Sequence, residues 1–323
     1  MNLQGKIMLK KLAAILCLIL AISGIVWAQE EETDAKKAEI VKPKPDIADG
    51  KYGQFARNTF DLWKPKSKSR TPLVVFIHGG GLNSGSKEKL SPLQLTKMLE
   101  AGFAVMAINY RLTGEAVFPQ HFMDAARAIQ YARYHAKDFN IDPKLIAATG
   151  GSAGGMTSLW LGFHDDLADP KNADPILRES TRLRAMAVSS AQTTLVPEVV
   201  AKYVGVLATQ YGSYSNGKMF GLKKEEMMSE KGFSEKALRL YKEISPLTYL
   251  TKDDPPVWAF YSIPDKPLTE TSTPSEAIHH PGFGRILKEE MDKLKIECKL
   301  RHKDDGKNVT GDMIAFLAKY LKN

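Results

Sequence analysis

The sequence predicts an α/β fold in which helices cover both faces of a mostly parallel central sheet. Three observations support this prediction. Short apolar runs alternate with amphipathic segments from residue 55 onward. The 323-residue chain can bury a large core and has an ordinary globular composition, with 43% hydrophobic and 25% charged residues. One stretch, residues 191–250, breaks the alternation and is rich in Tyr, Lys and Met, so we interpret it as a cap inserted between two strands.

The apolar runs define the strands of this sheet. They are predicted at 73–77, 103–108, 145–149, 183–188, 257–261 and 296–301. Ser91 and Pro92 have the residue types of an N-cap and a first helical turn, and Pro119 begins a longer helix. Further helices are predicted at 153–163, 284–294 and 311–321. Strands that alternate with helices in this way are typical of a parallel sheet.

The first 28 residues have the layout of a secretory signal. Lys6, Lys10 and Lys11 precede an uncharged apolar run over residues 12–26, and Ala28 lies where a signal peptidase would cut. A run of 15 residues is shorter than the ~20 needed to span a bilayer, so we favour a cleaved signal over a membrane anchor. We therefore expect a secreted or periplasmic protein without stable membrane insertion. Residues 29–50 are charged and aperiodic, which predicts a flexible linker.

The charge pattern, the cysteine content and the histidine spacing bear on nucleic-acid partners, disulfides and metal sites. The net charge of +8 arises from scattered lysines without interleaved aromatic residues, so no nucleic-acid partner is expected. Of the two cysteines, Cys17 falls in the signal and Cys298 in a strand-like run. We expect Cys298 in the core, with no internal disulfide. The helical zinc pattern His-Glu-x-x-His is missing from the sequence, and neither a metal nor a cofactor is expected.

The run from Gly150 to Gly154, with Ser152 at its centre, fits the pattern G-x-S-x-G. It stands between a predicted strand and a predicted helix, which is the setting of a nucleophile elbow. Such a turn presents the serine hydroxyl at a helix N-terminus, where the dipole favours negative charge. Glycines at 150 and 154 remove the Cβ atoms that would clash as the chain doubles back. An incidental serine in a glycine-rich turn is the alternative, and the flanking strand and helix favour the elbow.

A second glycine motif, His78-Gly79-Gly80-Gly81, follows the strand that ends at Ile77. Acyl transfer needs backbone N–H groups aimed at the oxyanion, and glycines let the backbone approach the substrate closely. The motif lacks the Gly-Lys-Ser/Thr order of a phosphate loop and the third glycine of a dinucleotide fingerprint. We therefore expect an oxyanion loop here, with the N–H of Ala153 as a further donor.

The order and spacing of these motifs resemble the α/β-hydrolase family, on its hormone-sensitive-lipase-like and feruloyl- or acetyl-esterase-like branch. The resemblance covers about residues 52–321 and rests also on Asn109-Tyr110-Arg111-Leu112, Phe118-Pro119, Asp124 and Asp142-Pro143. It implies an α/β-hydrolase domain over 51–323 in which the cap is an insertion. It further implies that Ser152 is the nucleophile and that Tyr110, Arg111 and Asp124 are structural supports. The oxyanion donors that it implies are Gly79, Gly80 and Ala153.

The family's acid and base follow the serine in the order acid, then histidine. Asp265 comes after the strand 257–261 and stands where the resemblance places the acid. His302 is the only histidine near the last strand, a few residues earlier than the family places its base. His279 and His280 are the alternatives, in a loop only 14 residues past Asp265. Adjacent residues of an extended segment point to opposite sides, which argues against a shared metal site.

Together these features predict a serine carboxylic-ester hydrolase that forms an acyl-enzyme on Ser152, with Asp265 orienting His302. The expected substrate is a small-molecule or carbohydrate-linked ester, given the secretion signal. Two alternatives stay open. A serine peptidase is one, because related folds cleave peptides. The other is a binding protein on a hydrolase scaffold that lacks a competent base.

Overall fold

An eight-stranded sheet forms the centre of the computed structural model, which describes residues 40–229, 232–306 and 308–322. Its order from edge to edge is β1-β2-β4-β3-β5-β6-β9-β10, where the strands are β1 Ile47–Lys51, β2 Thr59–Trp63, β3 Thr71–Ile77, β4 Ala104–Ile108, β5 Ile141–Gly151, β6 Met186–Ser189, β9 Val257–Tyr261 and β10 Cys298–His302. Strand β2 is antiparallel to both β1 and β4, and the remaining pairs are parallel. The predicted mostly parallel sheet is confirmed.

Helices lie on both faces of the sheet, as the sequence predicts. They are α1 Pro92–Glu100, α2 Gln120–Tyr134, α3 Ala136–Phe139, α4 Ala153–Phe163, α5 Pro197–Tyr203, α6 Val206–Met219, α7 Lys224–Met227, α8 Glu235–Ile244, α9 Pro274–Ile278, α10 Gly282–Lys293 and α11 Val309–Leu321. Alternate residues of β3 belong to different cores. Val74 and Phe76 pack with side chains of α1 and α11, whereas Val75 and Ile77 pack with those of α2 and α4. Because both faces are buried, β3 is continuously apolar in sequence.

The expected signal at residues 1–28 lies outside the described residues, as does most of the expected linker. The described part of that linker corrects the expectation. Residues 47–51 form β1, which pairs with β2. The indole nitrogen of Trp63 donates to the Pro43 carbonyl at 2.7 Å, and Lys64 N–H donates to Asp46 at 2.7 Å. These hydrogen bonds attach a polar segment to the sheet edge without an apolar pattern that sequence reasoning could detect.

The segment between β6 and β9 contains the region that the sequence predicts as a cap insertion. It includes α5 to α8 and a short hairpin, β7 Met228–Ser229 with β8 Gly232–Phe233. Tyr241 of α8 is buried among core residues, so the insertion shares the core of the sheet. Cys298 is buried as expected, and burial raises the pKa of its thiol to about 12. In the described part of the chain, no helix is both long and apolar enough to cross a bilayer.

Candidate active site

Ser152 occupies the sharp turn between β5 and α4. Its φ of 52° and ψ of −123° fall in a region that non-glycine residues rarely adopt, and its backbone N–H donates to Ser189 O at 2.9 Å. This geometry is the strained elbow that the motif predicts, and it holds the side chain half-buried at the N-terminus of α4. The N–H of Ala153, the first residue of α4, has no partner within the helix because it belongs to the first turn.

Close backbone contacts explain the glycines around this turn. A Cβ on Gly154 would lie 2.0 Å from Ile77 O, and one on Gly150 would lie 2.4 Å from the same oxygen. Gly79 lies against the elbow itself, since its Cβ would be 2.7 Å from Gly151 O and 3.5 Å from the Cβ of Ser152. The expected oxyanion loop, residues 78–81, and the elbow are therefore in direct contact.

His78 fixes the direction of a peptide group in this loop. Arg57 Nη2 can only donate, so at 3.4 Å it requires Nε2 of His78 to accept. Nδ1 then carries the proton and donates to Gly79 O at 2.8 Å. Burial lowers the pKa of His78 to about 4, so the ring is neutral. Because the peptide group is planar and trans, anchoring Gly79 C=O turns the N–H of Gly80 in the opposite direction, away from His78.

Further hydrogen bonds and a ring stack, from Arg57 and Tyr110, support the same loop. Arg57 also donates to Gly85 O at 2.9 Å and to Tyr110 O at 2.8 Å. The Tyr110 ring stacks on His78 with centroids 4.2 Å apart, and its hydroxyl donates to His78 O at 2.8 Å. Arg111 forms a forked pair with Asp124, with contacts of 2.8 and 2.6 Å. These contacts agree with the supporting role that the resemblance implies for Tyr110, Arg111 and Asp124.

The histidine that lies next to the candidate nucleophile Ser152 is His279. Its Nε2 lies 2.9 Å from Ser152 Oγ, within the range required of a general base. His279 is the C-cap of α9 and is half-buried. Burial is the main reason that its pKa lies below the ordinary value for histidine, with a smaller opposing effect from a hydrogen bond to the backbone of Ser275. A neutral imidazole beside the serine hydroxyl is the state that can accept a proton.

His280 points away from Ser152 and serves a different purpose. Its Nδ1 accepts from Gly282 N at 3.0 Å, so its Nε2 carries the proton and donates to Lys266 O at 2.8 Å. The ring is buried and both of its nitrogens are paired. The two adjacent histidines thus have separate partners. His280 ties the loop after β9 to the start of α10.

The structure corrects the expected positions of the acid and the base. His302 is the last residue of β10, paired in register with Tyr261, and its Nδ1 is buried with no hydrogen-bond partner among the described residues. Asp265 forms an ion pair with Arg285 on the surface. Within the described ranges, neither His302 nor Asp265 hydrogen-bonds to Ser152 or to His279. The strand extends through residue 302, which holds that side chain in the sheet instead of in a loop above the elbow.

Sequence reasoning placed His279 only among the alternatives, yet a local signal was available. Thr273, Pro274 and Glu276 give the pattern of a capping box, and the structure forms it: Thr273 Oγ1 accepts from Glu276 N at 3.2 Å, and Glu276 accepts from Thr273 N at 2.7 Å. This box starts α9 and sets His279 at its end. The Nδ1 of His279 lies 3.2 Å from the Oγ of Ser275, one turn earlier.

A small apolar cavity of about 40 Å³ is lined by residues of the region between β6 and β9 and of the segment that precedes His279. Ile278, which immediately precedes His279, is one of its walls, and Gln192 donates to Ile278 O. Most of the remaining walls are apolar side chains from the cap and from α10, namely Leu195, Pro197, Val200, Ala208, Phe233 and Phe283. The cavity has room for a group of only a few heavy atoms.

Comparison with known proteins identifies the family of the chain. Residues 60–273 match the family model described as BD-FAE. The protein named "Probable carboxylic ester hydrolase LipM" from Mycobacterium tuberculosis is 27% identical over 220 residues, which are 67% of this chain and 46% of that protein. Esterase LipQ of the same organism is 26% identical over 247 residues, 74% of this chain and 54% of LipQ. The chain thus spans about half the length of these curated relatives.

A solved structure extends the likeness to the whole fold. The truncated form of a carbohydrate esterase from gut microbiota superposes with a TM-score of 0.68 at 20% identity. The match covers 88% of this chain and 99% of that one. At this level of identity, the superposition supports the same arrangement of sheet and helices and says nothing about the substrate.

Proposed function

The chain belongs to the BD-FAE family, a hormone-sensitive-lipase-like family of α/β-hydrolases, and on this premise we propose that it hydrolyses carboxylic esters through an acyl-enzyme on Ser152. One observation carries the proposal. The Ser152 hydroxyl, on a strained elbow, lies 2.9 Å from a neutral imidazole nitrogen of His279. The relatives LipM and LipQ, whose names describe ester hydrolysis, support the same reaction class.

In the proposed reaction, His279 Nε2 takes the proton of Ser152 as the oxygen attacks the ester carbonyl carbon. The carbonyl π electrons move to oxygen and give a tetrahedral oxyanion. His279 then passes its proton to the departing alcohol oxygen, and the bond from carbon to that oxygen breaks. Water repeats the cycle on the acyl-enzyme, with His279 first taking and then returning a proton. The products are a carboxylic acid and free Ser152.

The oxyanion is stabilised by backbone N–H groups of the two glycine-rich motifs. Ala153 N–H lies in the first turn of α4, where it has no partner within the helix, and Gly80 N–H is directed by the anchored Gly79 carbonyl. The contact between Gly79 and Ser152 keeps the donor loop next to the forming oxyanion. Each such donor contributes about 100- to 1,000-fold to turnover in serine hydrolases.

We propose that the substrate carries a short acyl group on a small alcohol or a carbohydrate. The small apolar cavity has Ile278, the neighbour of His279 in the chain, among its walls, and its size motivates acetyl and propionyl esters as the first acyl groups to test. The carbohydrate esterase from gut microbiota motivates the sugar ester as the first natural substrate to test. We expect the ratio of kcat/KM for nitrophenyl acetate to that for nitrophenyl octanoate to exceed ten.

Three variants test the proposed chemistry. Ser152→Ala abolishes hydrolysis of nitrophenyl acetate, and His279→Gln lowers kcat by about 100- to 10,000-fold, the usual contribution of a general base. His302→Gln is the matched control, because it makes the same substitution at the other candidate base and is expected to keep kcat within about threefold. Circular dichroism and thermal melts confirm that all three variants fold.

The opposite pattern would refute the assignment. Full activity of Ser152→Ala, or a greater loss with His302→Gln than with His279→Gln, contradicts the mechanism. A fluorophosphonate probe tests the alternative of a binding protein on a hydrolase scaffold. Labelling of Ser152 in the wild-type chain, lost in Ser152→Ala, supports a reactive nucleophile, whereas no labelling and no ester turnover support the binding protein.

Export to the periplasm or the medium is a second proposal, and it rests on the N-terminal sequence alone. Lys6, Lys10 and Lys11 before an apolar run motivate it. N-terminal sequencing of the protein recovered from its producing cell is expected to begin at Gln29. A chain that retains residues 1–28 and sediments with membranes would support an anchor instead.

A further inference from the structure

The candidate base lacks the carboxylate that normally accompanies it. Among the described residues, no aspartate or glutamate lies within ion-pair distance of His279, whose side-chain partners are Ser152 Oγ and Ser275 Oγ. The nearby acids are engaged elsewhere: Asp265 pairs with Arg285, and Glu276 accepts from the backbone and hydroxyl of Thr273. The described groups that face the imidazole on this side both come from Ser275, namely its hydroxyl and its backbone carbonyl, and the side-chain group among them is a hydroxyl rather than a carboxylate.

A hydroxyl at this position has a different chemical character from a carboxylate. An ionised carboxylate only accepts hydrogen bonds, so it forces the proton onto Nδ1 and leaves Nε2 free to take the proton of the nucleophile. A serine hydroxyl can accept from Nδ1 or donate to it. If it donates, the ring proton moves to Nε2 and the imidazole cannot act as a base toward Ser152. The hydroxyl therefore orients the ring but selects its tautomer only weakly.

We infer that Ser275 is the positioning residue for His279, so that Ser152, His279 and Ser275 form a serine–histidine–serine relay in which a hydroxyl replaces the triad acid. This inference rests on the proposed function of Ser152. It follows from the 3.2 Å contact between Nδ1 and Ser275 Oγ and from the engagement of the neighbouring acids. The relay is productive only in the tautomer in which Nδ1–H donates to Ser275 and Ser152 donates to Nε2.

The helix α9 holds Ser275 and His279 next to each other. Ser275 and His279 are one helical turn apart, and His279 N–H donates to Ser275 O at 3.1 Å, so backbone and side chain of Ser275 both contact the base residue. Thr273 caps the N-terminus of the helix. After the helix, the His280 ring is hydrogen-bonded to Lys266 O and to Gly282 N–H. The histidine is thus held on both sides, and its ring direction depends on Ser275.

An acidic residue at position 275 is expected to increase activity. Ser275 is exposed, so an aspartate fits at this position without displacing a packed side chain. Ser275→Asp supplies an obligate acceptor to Nδ1, and charge-assisted hydrogen bonds are about twice as strong as neutral ones. We expect kcat for nitrophenyl acetate to rise at least about tenfold, because the productive tautomer becomes the dominant one.

The kinetic test compares four variants with the wild-type chain. Ser275→Ala is expected to lower kcat about three- to tenfold, the effect of one neutral hydrogen bond, with KM changed less than twofold because no substrate contact is lost. Ser275→Thr keeps a hydroxyl and is expected to retain wild-type kcat. Ser275→Asp raises kcat. Glu276→Gln is the matched control: it removes the neighbouring charge, keeps the capping hydrogen bond and leaves kcat unchanged.

A spectroscopic measurement separates this inference from the esterase proposal. The ¹⁵N chemical shifts of the His279 imidazole, assigned by their loss in His279→Gln, report which nitrogen carries the proton. We expect them to change in Ser275→Ala and to move to the pure Nδ1–H pattern in Ser275→Asp. This readout does not need substrate. A chain without ester turnover whose His279 shifts follow residue 275 refutes the esterase and supports the relay.

Three outcomes would overturn the inference. They are wild-type kcat in Ser275→Ala, failure of Ser275→Thr to retain activity, and His279 shifts that ignore the residue at 275. Each would mean that water or another group orients the imidazole. If Ser152→Ala and His279→Gln abolish turnover while the Ser275 variants behave like the wild-type chain, the esterase proposal stands and only the relay fails.

Discussion

Replacing Gly79 by alanine tests whether the oxyanion loop must press directly against the elbow. The substitution adds a single methyl group. The φ of Gly79 lies outside the left-handed region, so the alanine backbone is not strained. Its Cβ would stand 2.7 Å from Gly151 O, where an ordinary van der Waals contact needs at least 3.4 Å. The loop or the elbow must therefore move by about 0.7 Å, the difference between these two distances.

The expected cost falls on catalysis more than on stability. A misplacement of about 1 Å between reacting groups lowers rates by about 100-fold, and losing one oxyanion donor lowers turnover by about 100- to 1,000-fold. We therefore expect Gly79→Ala to reduce kcat for nitrophenyl acetate by about two orders of magnitude. The free energy of unfolding should fall by no more than about 1–3 kcal/mol, the usual cost of overpacking.

Gly102→Ala is the matched control. Gly102 follows α1 with a φ of +80° and has no atom near its would-be Cβ, so alanine there meets backbone strain but no clash. We expect it to lose about 1 kcal/mol of stability while keeping wild-type kcat. Steady-state kinetics and urea unfolding of both variants measure the two effects. Wild-type kcat in Gly79→Ala, or an equal loss in Gly102→Ala, would refute a direct contact between loop and elbow.

Four further predictions concern ionisation and support. Burial lowers the pKa of His279, and the neutral ring is the active form. In a plot of kcat/KM against pH, the acid limb should therefore have its midpoint below 6.5. A midpoint above that pH contradicts the assignment. Arg57→Lys removes the guanidinium that contacts His78 and Gly85. We expect the free energy of unfolding to fall by about 2 kcal/mol in denaturant unfolding. We expect kcat to fall at least about tenfold in kinetic assays. His78 and His121 are buried with pKa values of about 4, so the unfolded chain binds protons that the folded chain does not. Stability should fall as pH drops from 6.5 to 4, by up to about 3 kcal/mol per ring, and a flat urea midpoint over this range would count against neutral buried imidazoles. Cys298, with its pKa raised to about 12, should react with Ellman's reagent only after unfolding.

The sheet and the elbow could be predicted because their signals are local. A buried parallel strand such as Thr71–Ile77 must be apolar throughout, and the elbow needs glycines where backbones touch, as at Gly150 and Gly154. These requirements act on short stretches of chain, so they remain visible in the sequence. The predicted strands at 73–77 and 257–261 fall on observed strands.

The base and the first strand could not be assigned with the same certainty, since both depend on distant contacts. His279 meets Ser152 across 127 positions of the chain, and nothing near either residue encodes that distance. Strand β1 pairs with β2 through backbone hydrogen bonds and has a mixed burial pattern, so it lacks the apolar run that marks a strand. The family order predicts a base near the last strand, and His302 is the only histidine there. In the structure His302 lies within β10, paired with Tyr261, and not in the loop that follows the strand.

The position of His279 before the last strand separates the chemistry from the C-terminus of the chain. The residues of the proposed nucleophile and base lie at 152 and 279, so in this proposal neither belongs to β10 or α11, and the described residues of α11 pack against the sheet. A chimera that takes residues 298–322 from a distant relative should keep its chemistry as long as the new strand and helix fill the same face of the sheet.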